Sequence, residues 1–171
     1  VDTNPLAGSV SAALAGREGD FTAGLDVLGK LTEGAVYLCT GAGDQIPTNG
    51  TAKVEQFGGK HPAGLVGTHI HMLEPVSRKK TVWHLGWQDV VAIGHLFQTG
   101  QLDGRRVFAV GGPIVNEPRM LRTLVGASID ELVAGQLKAD VEPRWISGSI
   151  LGGRTSQGNV FGYVGRYHQQ V

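Results

Sequence analysis

Glycine constrains this chain more than any other residue, because it fills 27 of the 171 positions and recurs at no fixed period. A glycine at every third position would indicate collagen, and a longer regular repeat would indicate a solenoid. Scattered glycines are instead typical of tight turns, since glycine adopts positive φ angles without a steric penalty. The sequence therefore predicts short helices and strands joined by sharp connections.

The composition is that of a folded globular protein, with 41% hydrophobic and 18% charged residues. The 15 basic residues balance 15 acidic ones, which indicates neither nucleic acid nor an anionic membrane as a partner. No apolar run approaches the roughly 20 residues of a membrane span, so we expect none. The single cysteine, Cys39, excludes an internal disulfide and is typical of a reducing compartment.

The amino terminus has the features of neither a signal peptide nor a natural start. It reads Val1-Asp2-Thr3-Asn4-Pro5, without an initiator methionine, a basic segment or an apolar segment. We therefore expect an internal piece of a longer protein.

Apolar spacing predicts the elements of the first hundred residues. Phe21 and Leu25 begin a helical pattern, for which Asp20 is the expected N-cap and Gly34 the expected stop. A wider apolar stripe later in the chain ends at Gly100. The predicted helices are residues 20–32 and 87–97, and the predicted strands are residues 35–40 and 53–57.

The remaining residues predict a β-rich unit with one small helix. In that helix, residues 128–132, the Ser128 hydroxyl is expected to cap the first turn while Glu131 reaches back. The composition shifts near residues 100–105, and we place the domain boundary at residue 102. The predicted strands are residues 107–110, 144–147 and 160–167, and residues 114–115 are expected to begin another strand after a tight turn.

Three of the six histidines, His61, His69 and His71, lie within residues 61–71. In a strand, His69 and His71 would face the same side, where neutral imidazoles can bind a transition metal. A zinc site needs at least three protein ligands, however, and no nearby cysteine or pair of acidic residues completes this set. Hydrogen-bonded structural or interface histidines are therefore the favoured interpretation.

No other catalytic or nucleotide-binding pattern is complete. The glycine-rich residues 41–46 follow a predicted strand, but the third glycine of a dinucleotide loop is absent and Pro47 opposes a following helix. Cys39 lies inside an apolar strand, and Asp130 and Glu131 are neighbours whose side chains diverge. Three tryptophans have faces suited to a quinone or flavin, although packing is the favoured role for each: Trp83, Trp87 and Trp145.

Several blocks of this sequence occur together, in the same order, in one known family. The blocks are residues 2–7, 23–28, 61–71, 88–94, 146–149 and 165–168. On these blocks the chain resembles the A subunit of the sodium-translocating NADH:quinone oxidoreductase, as an internal fragment of that protein. The poorly matched residues 8–19 and 41–52 are loop-like by composition, where variation is best tolerated.

The resemblance implies an α/β (α+β) fold in two parts. Residues 1–102 would form an incomplete Rossmann-like α/β layer, similar to the NADH- and flavin-binding subunit of respiratory complex I. Residues 103–171 would form a small β-grasp ligand-binding module and the start of the following segment. The family's full-length protein is longer on both sides, so the missing flanks limit what this piece does alone.

The resemblance also implies a function. The family's proteins are a peripheral part of a bacterial membrane complex that oxidises NADH, reduces ubiquinone and exports sodium ions. An assembly or docking role follows for this chain, on the cytoplasmic side of the inner membrane, with the other subunits as partners.

The resemblance assigns the redox groups to those other subunits. NADH, flavins and iron centres are carried there, and this chain lacks a complete glycine-rich loop or a cysteine set for them. We therefore expect the fragment to bind no cofactor or metal and to be non-catalytic by itself. Ubiquinone binding is the alternative function, with His69, His71 and Trp87 as candidate quinone or interface residues.

Overall fold

A computed structural model describes residues 1–138 and 142–171 and divides the chain into two compact units. The first unit comprises Val1–Thr3 and Val10–Asp103, and the second comprises Asn4–Ser9 and Gly104–Val171. Both are mixtures of helices and short strands. No helix in these two described ranges is long and apolar enough to cross a membrane.

The first unit contains four helices and a two-stranded parallel sheet. The strands pair in register, with Tyr37 opposite Lys53 and Gly41 opposite Phe57. The elements in chain order are α1 (Val10–Leu14), α2 (Glu18–Leu28), β1 (Tyr37–Gly41), β2 (Lys53–Phe57), α3 (Val66–Leu73) and α4 (Trp87–Thr99).

The core of the first unit lies where α2 meets α4, and glycine makes this contact close. A Cβ atom on Gly94 of α4 would lie 1.7 Å from the Asp20 carbonyl oxygen of α2, and one on Gly24 would lie 2.1 Å from the Val90 carbonyl oxygen. Only a residue without a side chain fits at these points. The buried apolar residues around the contact are Leu14, Phe21, Leu25, Ala52, Val90 and Val91.

The two strands of the first unit lie between helices on both faces. Leu38 of β1 packs against the α2–α4 core. Side chains alternate along a strand, so Tyr37 points to the opposite face, where its hydroxyl donates to Glu74 at the end of α3. Phe57 of β2 contacts the ring of His69 in α3. Helix α3 therefore covers the face that α2 and α4 leave open.

The second unit contains two antiparallel strand pairs and two short helices. Strand β3 (Arg105–Val110) pairs with β4 (Arg119–Leu124), and β5 (Ile146–Ser147) pairs with β6 (Arg154–Thr155). The helices are α5 (Ile129–Val133) and α6 (Gly158–Phe161). Its core is formed by Phe108, Val110, Val115, Ile129, Val133, Trp145 and Val164.

The last three residues join the two strand pairs of the second unit. Gln170 pairs with Ala109 of β3 in the parallel direction, and the Ala109 N–H donates to the Gln169 carbonyl at 2.9 Å. On the other side, the N–H of Gly148, which follows β5, donates to the Gln170 carbonyl at 2.8 Å. The spatial order is therefore β4, β3, residues 169–171 and the end of β5.

Three predictions about local structure are confirmed. Helix α4 begins at Trp87, and Gly100 ends it with a left-handed φ of 74°. Strand β2 matches the predicted residues 53–57. The Ser128 hydroxyl caps α5 by accepting from the Glu131 N–H.

Predictions about the first helix were wrong at both ends. Helix α2 begins at Glu18, and Asp20 is therefore not the N-cap. The Asp20 carboxylate instead accepts from the Arg17 Nε at 2.9 Å and lies 3.4 Å from the His95 Nδ1. The helix also ends at Leu28, well before Gly34, where the Gly29 N–H donates to the Leu25 carbonyl and the Lys30 N–H donates to the Val27 carbonyl.

Two predicted strands of the second unit were also wrong. Residues 114–115 are not a strand, since Val115 makes a single bridge to Leu137 and β4 starts only at Arg119. Residues 160–167 alternate apolar residues with glycine as a strand does, yet this segment begins inside α6. The Arg154 guanidinium holds its backbone by donating to the Phe161 and Tyr163 carbonyls.

Candidate functional site

His69 is buried in α3, with 8% of its surface exposed. Its Nε2 lies 2.8 Å from the Ala63 carbonyl oxygen, and its ring centroid lies 4.2 Å from that of Phe57. A carbonyl only accepts, so Nε2 carries a proton and donates it to Ala63; in a neutral ring Nδ1 is then an acceptor. In this state His69 has no remaining N–H to donate to a ligand.

The metal hypothesis required His69 and His71 to lie on a strand, where they would face the same side, but both lie on helix α3. Two residues apart on an α-helix, side chains point about 200° away from each other. His71 is accordingly exposed while His69 is buried. The two imidazoles do not converge on one ligand.

His61 is held by the amino-terminal residues of the first unit. Its Nδ1 lies 3.3 Å from the Thr3 hydroxyl, which also accepts from the Gly64 N–H at 2.9 Å. Among residues 1–138 and 142–171, no group of three or more histidine, cysteine, aspartate or glutamate side chains is placed to hold a metal ion. The observed partners of His61 and His69 are hydrogen-bonding groups of the same loop and of the amino terminus.

The three tryptophans have different surroundings. Trp145 is buried in the core of the second unit, and half-buried Trp87 packs against the core of the first. Trp83 is 79% exposed. Packing therefore accounts for two of the three indoles, and Trp83 is left without such an explanation.

The glycine-rich turn after β1 is occupied by a carboxylate. Asp44 Oδ2 accepts from the Gly41 N–H at 3.0 Å, and a Cβ atom on Gly41 would lie 2.6 Å from the same oxygen. A negative charge at this strand end repels the phosphates that a dinucleotide would bring there. The geometry thus adds a physical reason to the missing third glycine.

Cys39 is a poor nucleophile in this setting. The thiol is half-buried in β1, and burial raises its pKa above the ordinary value. The charge of Glu55 acts in the same direction, while that of the amino terminus opposes it. Because the thiolate is the reactive form, the site favours an inert thiol.

The second unit contains a buried hydroxyl–imidazole pair that the sequence did not predict. The fully buried Ser147 Oγ lies 2.7 Å from the His168 Nδ1 and 2.9 Å from the Gly165 N. The Gly165 N–H can only donate, so the Ser147 hydroxyl accepts there. Burial lowers the pKa of His168, which favours the neutral imidazole. In the tautomer with its proton on Nε2, the imidazole accepts the Ser147 proton through Nδ1.

Glycines fix the position of the His168 ring. A Cβ atom on Gly148 would lie 2.9 Å from the His168 Cδ2, and one on Gly165 would lie 2.5 Å from its Nδ1. The only sequence signal was that Ser147 and Gly148 belong to one family-like block while Gly165 and His168 belong to another. The structure brings these two blocks together.

The neutral state of His168 predicts a pH dependence of stability. Burial, and secondarily the charge of Arg154, lower the pKa of His168 below its ordinary value of 6.5. The unfolded chain therefore binds a proton more readily than the folded chain, so this stability is complete above about pH 6.5 and decreases as the pH falls through the folded pKa. Urea unfolding at pH 7 and pH 5 measures the loss.

A His168→Asn variant is the control for this pH effect. Its side-chain oxygen can still accept from Ser147, but it does not titrate. The variant is expected to lose less stability than the unmodified chain between pH 7 and pH 5. An equal loss in the two proteins would show that His168 does not contribute.

Comparisons with known proteins agree across the chain. Residues 1–102 match the family model described as the NqrA second alpha/beta domain, and residues 107–158 match the one described as the NQRA C-terminal domain. Relatives named as the A subunit of Na(+)-translocating NADH-quinone reductase are 54% identical in Marinomonas sp. (strain MWYL1) and 53% identical in Shewanella amazonensis, both over 171 residues. A protein of the same name from Neisseria gonorrhoeae is 50% identical over 173 residues.

These alignments cover 100% of this chain, and the chain spans 38% of the length of the curated relatives. The first family model alone accounts for more than half of the residues, and the second follows it in the same order along the chain. The chain therefore belongs to the NqrA family, and it matches that family's second alpha/beta domain followed by its C-terminal domain.

Proposed function

We propose that this chain is an internal part of the peripheral A subunit of a bacterial Na(+)-translocating NADH-quinone reductase, where it has an assembly and docking role. The observation that carries the proposal is its 54% identity, over all 171 residues, to a protein of that name. In the proposed complex, NADH-driven reduction of ubiquinone is coupled to export of Na⁺. The chain lies on the cytoplasmic side of the inner membrane.

Under this proposal the NADH, flavin and iron centres belong to the partner subunits, and the chain alone is non-catalytic. The polar groups described above support a scaffold role, because they are engaged with the chain itself. Asp44 binds the end of β1, His69 binds Ala63, and Ser147 binds His168. The glycine-dependent contact of α2 with α4 supports a rigid first unit.

We further propose a Rossmann-like layer for residues 1–102 and a β-grasp-like module for residues 103–171. Two parallel strands with helices on both faces support the first assignment. For the second, the support is the order of strands, because β3 lies between β4 and the parallel residues 169–171, with α5 in the same core. A β-grasp module likewise holds a helix against a mixed sheet whose first and last strands run parallel.

The docking role is tested with the full-length protein and the remaining subunits of the complex. We expect the tagged full-length protein to retain those subunits in detergent, and membranes lacking it to lose NADH-driven quinone reduction. The 171-residue chain alone is expected to turn over neither NADH nor quinone. Turnover by the isolated chain would contradict the proposal.

Ubiquinone binding by this part of the chain is the second candidate function. Half-buried Trp87 favours it, since a partly covered indole offers a face to a planar ring. Exposed His71 can donate to a quinone carbonyl, whereas His69 would first have to give up its bond to Ala63. The test adds a short-chain quinone to the detergent samples of the full-length protein with its retained subunits. Quenching of tryptophan emission that is lost in Trp87→Leu would support this function. Unchanged emission would exclude it.

A further inference from the structure

The connection between α3 and α4, residues 75–86, exposes several large apolar side chains and is called the 75–86 loop below. Only Val82 within it is half-buried, and the rest is exposed. Val76 is 61% exposed, Trp83 79% and Leu85 45%. Soluble surfaces rarely expose several large apolar side chains within one short segment without a partner.

The 75–86 loop is held in place at its base. Glu74 accepts from the Tyr37 hydroxyl at 3.1 Å with one carboxylate oxygen and pairs with the Lys80 ammonium through the other. Ser77 and Lys80 exchange two backbone hydrogen bonds of 3.2 Å each, which close a tight turn. A surface that is already ordered loses less conformational entropy on binding.

The tip of this turn carries unopposed positive charge. Arg78 and Lys79 lie between the two bridged residues, and no acidic residue occurs from Pro75 to Gln88. Within the described part of the chain, neither side chain has a carboxylate partner, while Lys80 is neutralised by Glu74. A partner that fits this tip must therefore offer negative charge.

We propose that the 75–86 loop docks onto an acidic surface of another protein, with Trp83 in an apolar pocket and Arg78 and Lys79 paired with carboxylates. The inference rests on the proposed function, in which this chain is one component of a complex. Tryptophan and arginine are the side chains that most often dominate the affinity of protein interfaces. The loop presents both, five residues apart, with Arg78 on the Ser77–Lys80 turn and Trp83 three residues after it.

An anionic lipid surface is the competing kind of partner and is less well matched. Two unpaired basic side chains and one tryptophan give weak membrane binding, and stable anchoring requires a further strong signal such as a long amphipathic helix or an acyl chain. The helix beside the loop, α3, spans only Val66–Leu73 and turns His69 inward onto Phe57. A single protruding indole is better suited to a pocket in a protein than to a lipid surface.

The test uses the full-length protein in the detergent-purified complex. Trp83→Ala is expected to weaken its retention by about 30-fold, the size of an interface hot spot. Reversing the two charges, Arg78→Glu with Lys79→Glu, is expected to weaken retention about 10-fold or more and to reduce its dependence on salt. Matched controls on the same unit are exposed Phe97→Ala and exposed Lys30→Glu, which should be retained like the wild type.

Each outcome distinguishes the proposals. If both loop variants are retained like the wild type, the docking surface is overturned while the docking role stands. If wild-type protein is itself not retained, the proposed function fails. A lipid partner would replace the protein partner if Trp83→Ala abolished binding of the isolated full-length protein to phosphatidylglycerol vesicles and left retention in detergent unchanged. Circular dichroism of each variant shows that it is folded.

Discussion

Replacing Gly94 with alanine is expected to lower the free energy of unfolding of the first unit by about 3 kcal/mol or more, at the upper end of overpacking effects. The added Cβ would lie 1.7 Å from the Asp20 carbonyl oxygen and 2.6 Å from the Gly24 N. Both are backbone atoms of α2, so no side-chain rotation relieves the overlap. The two helices must move apart, which opens the core around Phe21 and Val90.

Gly19→Ala is the matched control for Gly94→Ala. Gly19 lies in α2, the helix that Gly94 of α4 contacts, but a Cβ atom on Gly19 meets nothing within 4 Å. Alanine at an open helical position is expected to stabilise by roughly 0.5–1 kcal/mol, because the unfolded chain loses freedom. Amide hydrogen exchange in α2 and α4 measures how each substitution changes the stability of the first unit, separately from the second unit. Equal stability of Gly94→Ala and the unmodified chain would contradict the close contact.

The elements predicted correctly are those whose signals are local. Helix α4 has both an apolar stripe and a glycine stop at Gly100, and the Ser128 cap needs only a hydroxyl and the N–H three residues on. Such signals act over one or two turns, so the sequence alone contains them. The same holds for β2, whose five residues are bounded by turn residues.

Helix α3 was missed because its local signals are contradictory. It follows a turn that contains glycine and proline. The spacing of its two histidines fits the side-chain alternation of a strand as well as an irregular loop. The helix is stabilised by distant residues, since His69 packs on Phe57 and Glu74 binds Tyr37. Tertiary contacts of this kind override weak local preferences. The metal hypothesis depended on the same assignment, because His69 and His71 would face the same side only in a strand.

The hydroxyl–imidazole pair of the second unit was unpredictable for a related reason. Ser147 and His168 are 21 residues apart in the chain, and α6 together with the hydrogen bonds from the Arg154 guanidinium to the Phe161 and Tyr163 carbonyls turns the intervening segment back. The alternation of residues 160–167 indicated a strand that would have carried His168 away. The pairing of Gln170 with Ala109 instead brings His168 back to Gly148 and Gly165, which fix the position of its ring.

Ser147→Ala is expected to lower the free energy of unfolding of the second unit by about 2 kcal/mol, the cost of leaving a buried donor without its partner. The substitution removes the acceptor of the Gly165 N–H and the hydrogen-bond partner of the His168 Nδ1 at once. Ser147 is fully buried, so water does not replace the hydroxyl without a rearrangement.

Ser149→Ala is the control, because the Ser149 hydroxyl accepts from the Leu151 N–H in an exposed turn. Its loss should cost less than about 0.5 kcal/mol.

The Ser147 variant should also loosen the end of the chain, since His168 directly precedes the residues that pair with β3. Faster exchange of the Val171 amide, which donates to the Ala109 carbonyl, would show this. If Ser147→Ala left both stability and this exchange unchanged, the hydroxyl would not hold the two blocks together.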